Sequence, residues 1–180
     1  MITLVTGNAE KKKEIEAILG IPLAIASIDL PEIQSMDLEE VARAKADTAF
    51  ARLQRPIIID GVSFEVEAMN GFPGPLVKWW ETVLGYEAML ELAVGKSLAV
   101  RAVAMAVYTD GKQTILTEGE MKGVLAPRAG NDGFGFDFYM IPEGYDQTVA
   151  QLGRAVKNQI SHRAKCFLNL ALLLKEKNIV

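Results

Sequence analysis

The run Thr6-Gly7-Asn8-Ala9-Glu10-Lys11 sets a glycine, a capping asparagine and a lysine where an apolar stretch gives way to a helical pattern. A strand that ends this way and opens a helix presents backbone N–H groups and the positive end of the helix dipole. An anion can sit there, with Lys11 one turn in as a point charge. Gly7 lets the backbone approach an oxygen closely. The spacing of a P-loop is absent, and the same residues also suit a plain strand–turn–helix with a surface lysine. A second cluster, Lys157-Asn158-Gln159-Ile160-Ser161-His162-Arg163, gathers cationic side chains at the expected start of the last helix. Cations there oppose the dipole, a conflict that a bound anion would resolve; a solvated capping region is the alternative. Arg163 could grip such an anion bidentately.

Gly133-Phe134-Gly135-Phe136-Asp137 is a third candidate. Its glycines allow a tight loop, its rings could stack on a planar ligand, and Asp137 could accept hydrogen bonds from that ligand. A glycine-rich turn with core phenylalanines explains the same residues. Among the carboxylates, Glu32, Asp37, Glu39 and Glu40 lie around the start of a helix and Asp60 ends an apolar run. A divalent cation held with phosphates needs one or two such oxygens, with water completing the shell. Acidic residues at helix starts are usually dipole partners, whereas a carboxylate on an apolar strand is costly unless it is used or solvated. Cys166 falls on an apolar helix face and reads as core, as does at least one of Trp79 and Trp80.

The elements that must position these groups follow from periodicity. Ile2–Thr6, Leu23–Ile28 and Pro56–Asp60 read as strands, the last continued by alternation through Glu67. Helices are expected over Ala9–Leu19, Leu38–Leu53, Val77–Val94 and from about Asn158 to the C-terminus. Leu98–Tyr108 and Gln113–Val124 form a long hairpin around Asp110-Gly111. The expected fold is a single α/β domain over residues 1–180, a mixed central sheet with long hairpins and flanking helices, in two lobes with a cleft between them.

Composition narrows the partners. The 180 residues carry 19 Lys and Arg against 23 Asp and Glu, a net charge of −4, which disfavours nucleic acid and anionic membranes. One cysteine makes no internal disulfide, and the N-terminus runs from apolar to charged, the reverse of a signal peptide. Leu90–Tyr108 is interrupted by Glu91, Lys96, Ser97 and Arg101, too polar for a membrane span. A cytoplasmic protein is expected.

Taken in order, TGNAEK at 6–11, IDLPE at 28–32, NGFPGP with KW at 70–79, APR with GFGFD at 126–137 and KNQISHR at 157–163 resemble the inosine triphosphate pyrophosphatase family. The resemblance implies a two-lobed α/β fold, usually dimeric, that hydrolyses ITP, dITP and XTP to the monophosphate and pyrophosphate using Mg²⁺. It also implies roles by position. Lys11 and the Thr6, Gly7, Asn8 turn would hold the triphosphate, with Lys45 reaching the nucleotide and Glu32 the metal-side carboxylate. Phe134, Gly135, Phe136 and Asp137 would frame the base, while Lys157, His162 and Arg163 would read it.

One departure stands out. The family usually has two consecutive acidic residues at the end of the strand, the second a metal ligand and base for the attacking water. Counted back from Gly71-Phe72-Pro73-Gly74, the first is Asp60 and the second position is Gly61. Glu65 shares the face of position 61 but lies about 13 Å along a regular strand. Two expectations follow: Asp60 and Glu32 carry the metal and Asp60 with Lys11 the chemistry, or the chain binds nucleotide with little hydrolysis.

Overall fold

The computed structural model describes residues 1–180. Seven strands form one sheet: β1 (Thr3–Val5), β2 (Ala24–Ala26), β3 (Ile57–Val66), β4 (Pro73–Gly74), β5 (Ala99–Thr109), β6 (Thr114–Leu125) and β7 (Met140–Pro142). The order is β2-β1-β3-β5-β6-β7, with β4 also on β3; β1 runs parallel to β2 and β3, and the remaining pairs are antiparallel. The expected mixed sheet with a long hairpin is present. The strand expected over Pro56–Asp60 and continued by alternation through Glu67 is one ten-residue strand, Ile57–Val66.

Six α-helices flank it: α1 (Ala9–Leu19), α2 (Leu38–Leu53), α3 (Val77–Val83), α4 (Glu87–Leu92), α5 (Val149–Ile160) and α6 (His162–Glu176). The bounds of α1 and α2 match the sequence pattern, because each has a side-chain N-cap, Asn8 or Asp37, and a left-handed C-cap. Two expectations are corrected. The single helix over Val77–Val94 is two, broken where Gly85 takes φ +76. The last helix starts at His162 rather than Asn158, after an unforeseen α5 that opens on a Thr148–Gln151 capping box.

Alternation along β3 and β5 divides the core. On one face, Ile58, Ala104, Ala106 and Tyr108 meet α1 and α6 through Ile15, Leu19, Phe167 and Leu170. Farther along that face, Phe64, Val66, Val100 and Ala102 meet α3, α4 and the loop before β7 through Trp80, Met89 and Phe136. On the opposite face, Ile57, Ile59, Val103 and Met105 meet Leu38, Ala42, Ala46 and Ala49 of α2. Two helical layers thus share one face of the long strands, and the gap between them opens at Asp60, between Ile58 and Phe64. Trp80 and Cys166 are core as expected, while Trp79 is exposed.

Candidate active site

The gap is filled by charge. Lys11, one turn into α1, donates to Asp60 Oδ2 at 2.9 Å. Arg163, in the first turn of α6, donates to Asp60 from Nε (3.4 Å) and Nη2 (3.3 Å) and to Glu14 Oε2 from Nη1 at 3.1 Å. Lys157, near the end of α5, donates to Asp137 Oδ2 at 2.7 Å and lies 3.6 Å from Glu14 Oε1. Three cations thus meet three carboxylates, nearly all buried; Lys11 is the exception, its side chain 24% exposed.

This explains the cations at the start of α6. Ser161 caps the helix by accepting from Ala164 N at 3.0 Å, and the carboxylates of Glu14 and Asp60 neutralise Arg163. The anion inferred from dipole conflict is therefore supplied from within the chain. Burial alone would raise the Asp60 pKa, but Arg163 and Lys11 outweigh it and hold the carboxyl well below its ordinary range. Burial would deprotonate Arg163, and Asp60 with Glu14 overrides that in turn.

His162 differs. It is fully buried beside the Phe136 ring, with centroids 5.4 Å apart, and neither ring nitrogen has a partner. Burial first, then the Arg163 charge, pushes its pKa well below 6.5, so the imidazole is neutral. Glu14 Oε1 and Asn158 Oδ1 are likewise buried without a hydrogen-bond partner. Buried polar atoms left without a partner are costly.

The strand–turn–helix at 6–11 is built tightly. Thr6 Oγ1 accepts from Asn8 N at 3.1 Å, and Asn8 Oδ1 accepts from the amides of Glu10 (2.9 Å) and Lys11 (3.1 Å). Those two amides, expected to be free for an anion, are taken by the cap, and the Gly7 amide is left without a partner in the chain. Lys45 on α2 pairs with Glu32. Burial would raise the Glu32 pKa, but Lys45, then the charges of Lys78 and Lys11, lower it. Lys11 thus acts on both carboxylates, on Asp60 through a direct hydrogen bond and on Glu32 through its charge. Lys78, within the 70–79 motif, adds a further cation acting on Glu32.

The Gly-rich segment separates its residues into two roles. Gly135 takes φ +60, which turns the chain into a short 3₁₀ helix over Gly135–Phe138. Phe134 faces the cations, with Lys157 Nζ 3.9 Å and the Arg163 guanidinium 5.6 Å from its ring centre. Phe136 points into the core and stacks on Phe64 at 4.4 Å. Asp137 accepts from Phe134 N at 2.9 Å as well as from Lys157, so its acceptors hold the loop and the lysine.

Glu14 was not singled out in the sequence, although it ties both Lys157 and Arg163. Its three-residue offset from Lys11 puts both on one helix face, and that spacing is the available signal. Gly61 is placed on the α2 face, where a Cβ would stand 3.3 Å from Leu38 Cδ1 and 3.4 Å from Ala42 Cβ.

The α/β fold thus places a buried, balanced charge cluster and a cation-faced aromatic ring between its helical layers. The sequence profile of the Ham1 family matches residues 2–172, and the chain belongs to that family. The inosine triphosphate pyrophosphatase of Yarrowia lipolytica is 34% identical over 98% of this chain and 96% of its own. The dITP/XTP pyrophosphatase of Saccharolobus solfataricus is 36% identical over 97% of this chain and 93% of its own. The Staphylococcus aureus Ham1 protein superposes with a TM-score of 0.84 at 24% identity, over 98% of this chain and all of the other. The Mycobacterium abscessus nucleoside-triphosphatase superposes at 0.71 with 26% identity, over 97% and 99% of the two chains.

Proposed function

We propose that the chain hydrolyses ITP, dITP and XTP to the nucleoside monophosphate and pyrophosphate. The observation that carries this reading is the Phe134 ring, faced by Lys157 and Arg163 and set across the cleft from the Lys11 turn. A purine stacked on Phe134 would bring its edge toward Arg163 and the orphaned nitrogens of His162. A 6-keto group accepts where adenine's amino group donates, so an Arg donor left unpaired opposite adenine penalises the wrong base.

The phosphates would run to the Gly7 amide and Lys11, with Lys45 at the side. Water attacks the α-phosphorus, the bond from that phosphorus to the bridging oxygen breaks, and pyrophosphate leaves with the electron pair. Lys11 stabilises the charge that develops on the phosphates. As Lys11 turns to phosphate, an edge of Asp60 is released toward the attacking water, whose proton it would accept.

The oxygen-only donor set suits a hard cation. Glu32 and Asp60 provide two carboxylates, and no cluster of three or more His, Cys, Asp or Glu side chains forms a closed protein cage. Mg²⁺ held by these two and by substrate phosphates fits that arrangement, and it would neutralise phosphate charge. We further propose a cytoplasmic homodimer. Exposed Trp79, Val83 and Leu84 of the α3 region support a partner surface, and no helix is long and apolar enough to cross a membrane.

The test is pyrophosphate release from ITP, XTP, ATP and GTP with Mg²⁺, repeated in EDTA. Release from ITP and XTP well above ATP and GTP, lost in EDTA, supports the reading. Gly61 supports a second reading, binding with little hydrolysis, and ITP bound without release would favour it.

A further inference from the structure

α6 packs over β6 and β5, yet its first two side chains act beyond them: Arg163 bonds Asp60 on β3, and His162 lies beside Phe136. From β6 to β3 is two strand spacings, about 10 Å in a regular sheet. Arg163 covers that span because the start of α6 sinks deep onto the sheet. The strand register shows what lets it sink. Asp60 aligns with Ala106 on β5 and Thr117 on β6; two residues along, Val62 aligns with Ala104 and Gly119.

Gly119 is where helix and strand backbones meet. A Cβ there would stand 2.3 Å from the His162 carbonyl oxygen and 2.4 Å from the Cys166 amide nitrogen. Both are backbone atoms, so no side chain can swing aside to make room. The backbone at Gly119 is ordinary strand, and the helix itself is what excludes a side chain. One methyl at 119 must lift the start of α6 by about 1 Å to regain van der Waals contact. The same turn is fixed to β6 on either side of Gly119. Cys166 Sγ donates to the Thr117 carbonyl at 3.2 Å, and Lys165 Nζ to the Glu120 carbonyl at 2.8 Å.

The seat matters most for His162. Asp60 and Glu14 grip Arg163 by its charge, whereas neither nitrogen of His162 has a hydrogen-bond partner. The position of its imidazole is therefore set by where the helix rests. We propose that Gly119 is a positioning residue: its missing side chain sets the depth of α6, and thereby holds His162 and Arg163 where they select a 6-keto purine. The selectivity rests on the nucleotide reading; the placement of the two side chains does not.

His162 is the only histidine, so in the untagged chain its imidazole protons give one readable set of resonances. The Phe136 ring, 5.4 Å away between centroids, shifts them by its ring current. At pH 8 without nucleotide, Gly119→Ala should move these resonances toward those of a free imidazole. Gly111→Ala is the control: a Cβ there would stand 2.2 Å from the Phe50 ring, but at the hairpin tip against α2, and the resonances should stay in place. Calorimetric titration with ITP and ATP should show the preference for ITP reduced on the order of tenfold in Gly119→Ala and kept in Gly111→Ala. Resonances unmoved in Gly119→Ala, or moved equally in Gly111→Ala, overturn the placement. Moved resonances with an unchanged ITP preference overturn the selectivity. If the parent shows no preference for ITP, the nucleotide reading fails and the resonances alone decide the placement. Should Gly119→Ala not fold, Cys166→Val, which adds bulk on the helix side of the same contact, replaces it with the same expectations.

Discussion

Asp60 and Gly61 are consecutive on β3 and face opposite sides of the sheet: Asp60 toward Lys11 and Arg163, Gly61 toward Leu38 and Ala42 of α2. The acidic side chain that the resemblance implies at the second position would thus stand on the α2 side, opposite Asp60. There Lys45 holds Glu32. A Cβ at 61 fits if the Leu38 tip yields a few tenths of an ångström, and Gly61 does not need a left-handed backbone. Gly61→Asp is expected to raise kcat for ITP on the order of 10²-fold, the usual scale of a positioned general base. Gly61→Ala controls for the backbone. Equal pyrophosphate release from the two variants would show that a carboxylate at 61 adds nothing to the proton transfer proposed for Asp60.

Asp60 also bears on stability. Asp60→Asn leaves Arg163 buried with Glu14 as its remaining partner and Lys11 with none in that gap. Breaking a buried pair from one side costs about 3–5 kcal/mol. The urea midpoint should fall accordingly, with an unchanged slope. A shift below 1 kcal/mol would mean that water reaches Arg163.

His162 sets a pH dependence. Its folded pKa lies well below the unfolded value near 6.5, so below that pH the unfolded chain binds a proton that the folded chain refuses. Stability should therefore fall as pH drops through about 6.5 toward 5. Asp60, whose folded pKa is also depressed, adds a loss of the same sign only below about 3.8. Thermal melts from pH 8 to 5 should slope downward in the parent and flatten in His162→Gln. Parallel slopes would place the titrating group elsewhere.

Much of this was legible because local chemistry decided it. Asn8 and Asp37 cap helices whose ends the sequence marks, and Gly20 ends the first as a left-handed residue. What escaped depends on contacts distant in sequence. α5 has an apolar pattern interrupted at Gly153, and only the Asp132 cap from the loop lets the helix resume. Glu14 looks like a solvated member of a charged helix until Arg163 arrives from 149 residues away. The cluster at 157–163 could be read as cationic, but its neutralisation by Glu14, Asp60 and Asp137 required the fold.

Phe134 and Phe136 provide the sharpest separation of site from core. They are two residues apart, yet Phe134 is half-buried against Lys157 while Phe136 is 8% exposed and stacks on Phe64. Phe136→Ala removes a buried ring and should cost about 3–5 kcal/mol of stability. Phe134→Ala removes a stacking platform worth about 1–3 kcal/mol per base, so ITP affinity should drop roughly 5- to 150-fold with little change in melting temperature. The loss should be similar for ITP and XTP, because a ring face does not read the edge of a base. Phe134→Tyr, which keeps the face, should restore most of the affinity. An unfolded Phe134→Ala, or a Phe136→Ala variant that melts normally and binds poorly, would exchange the two assignments.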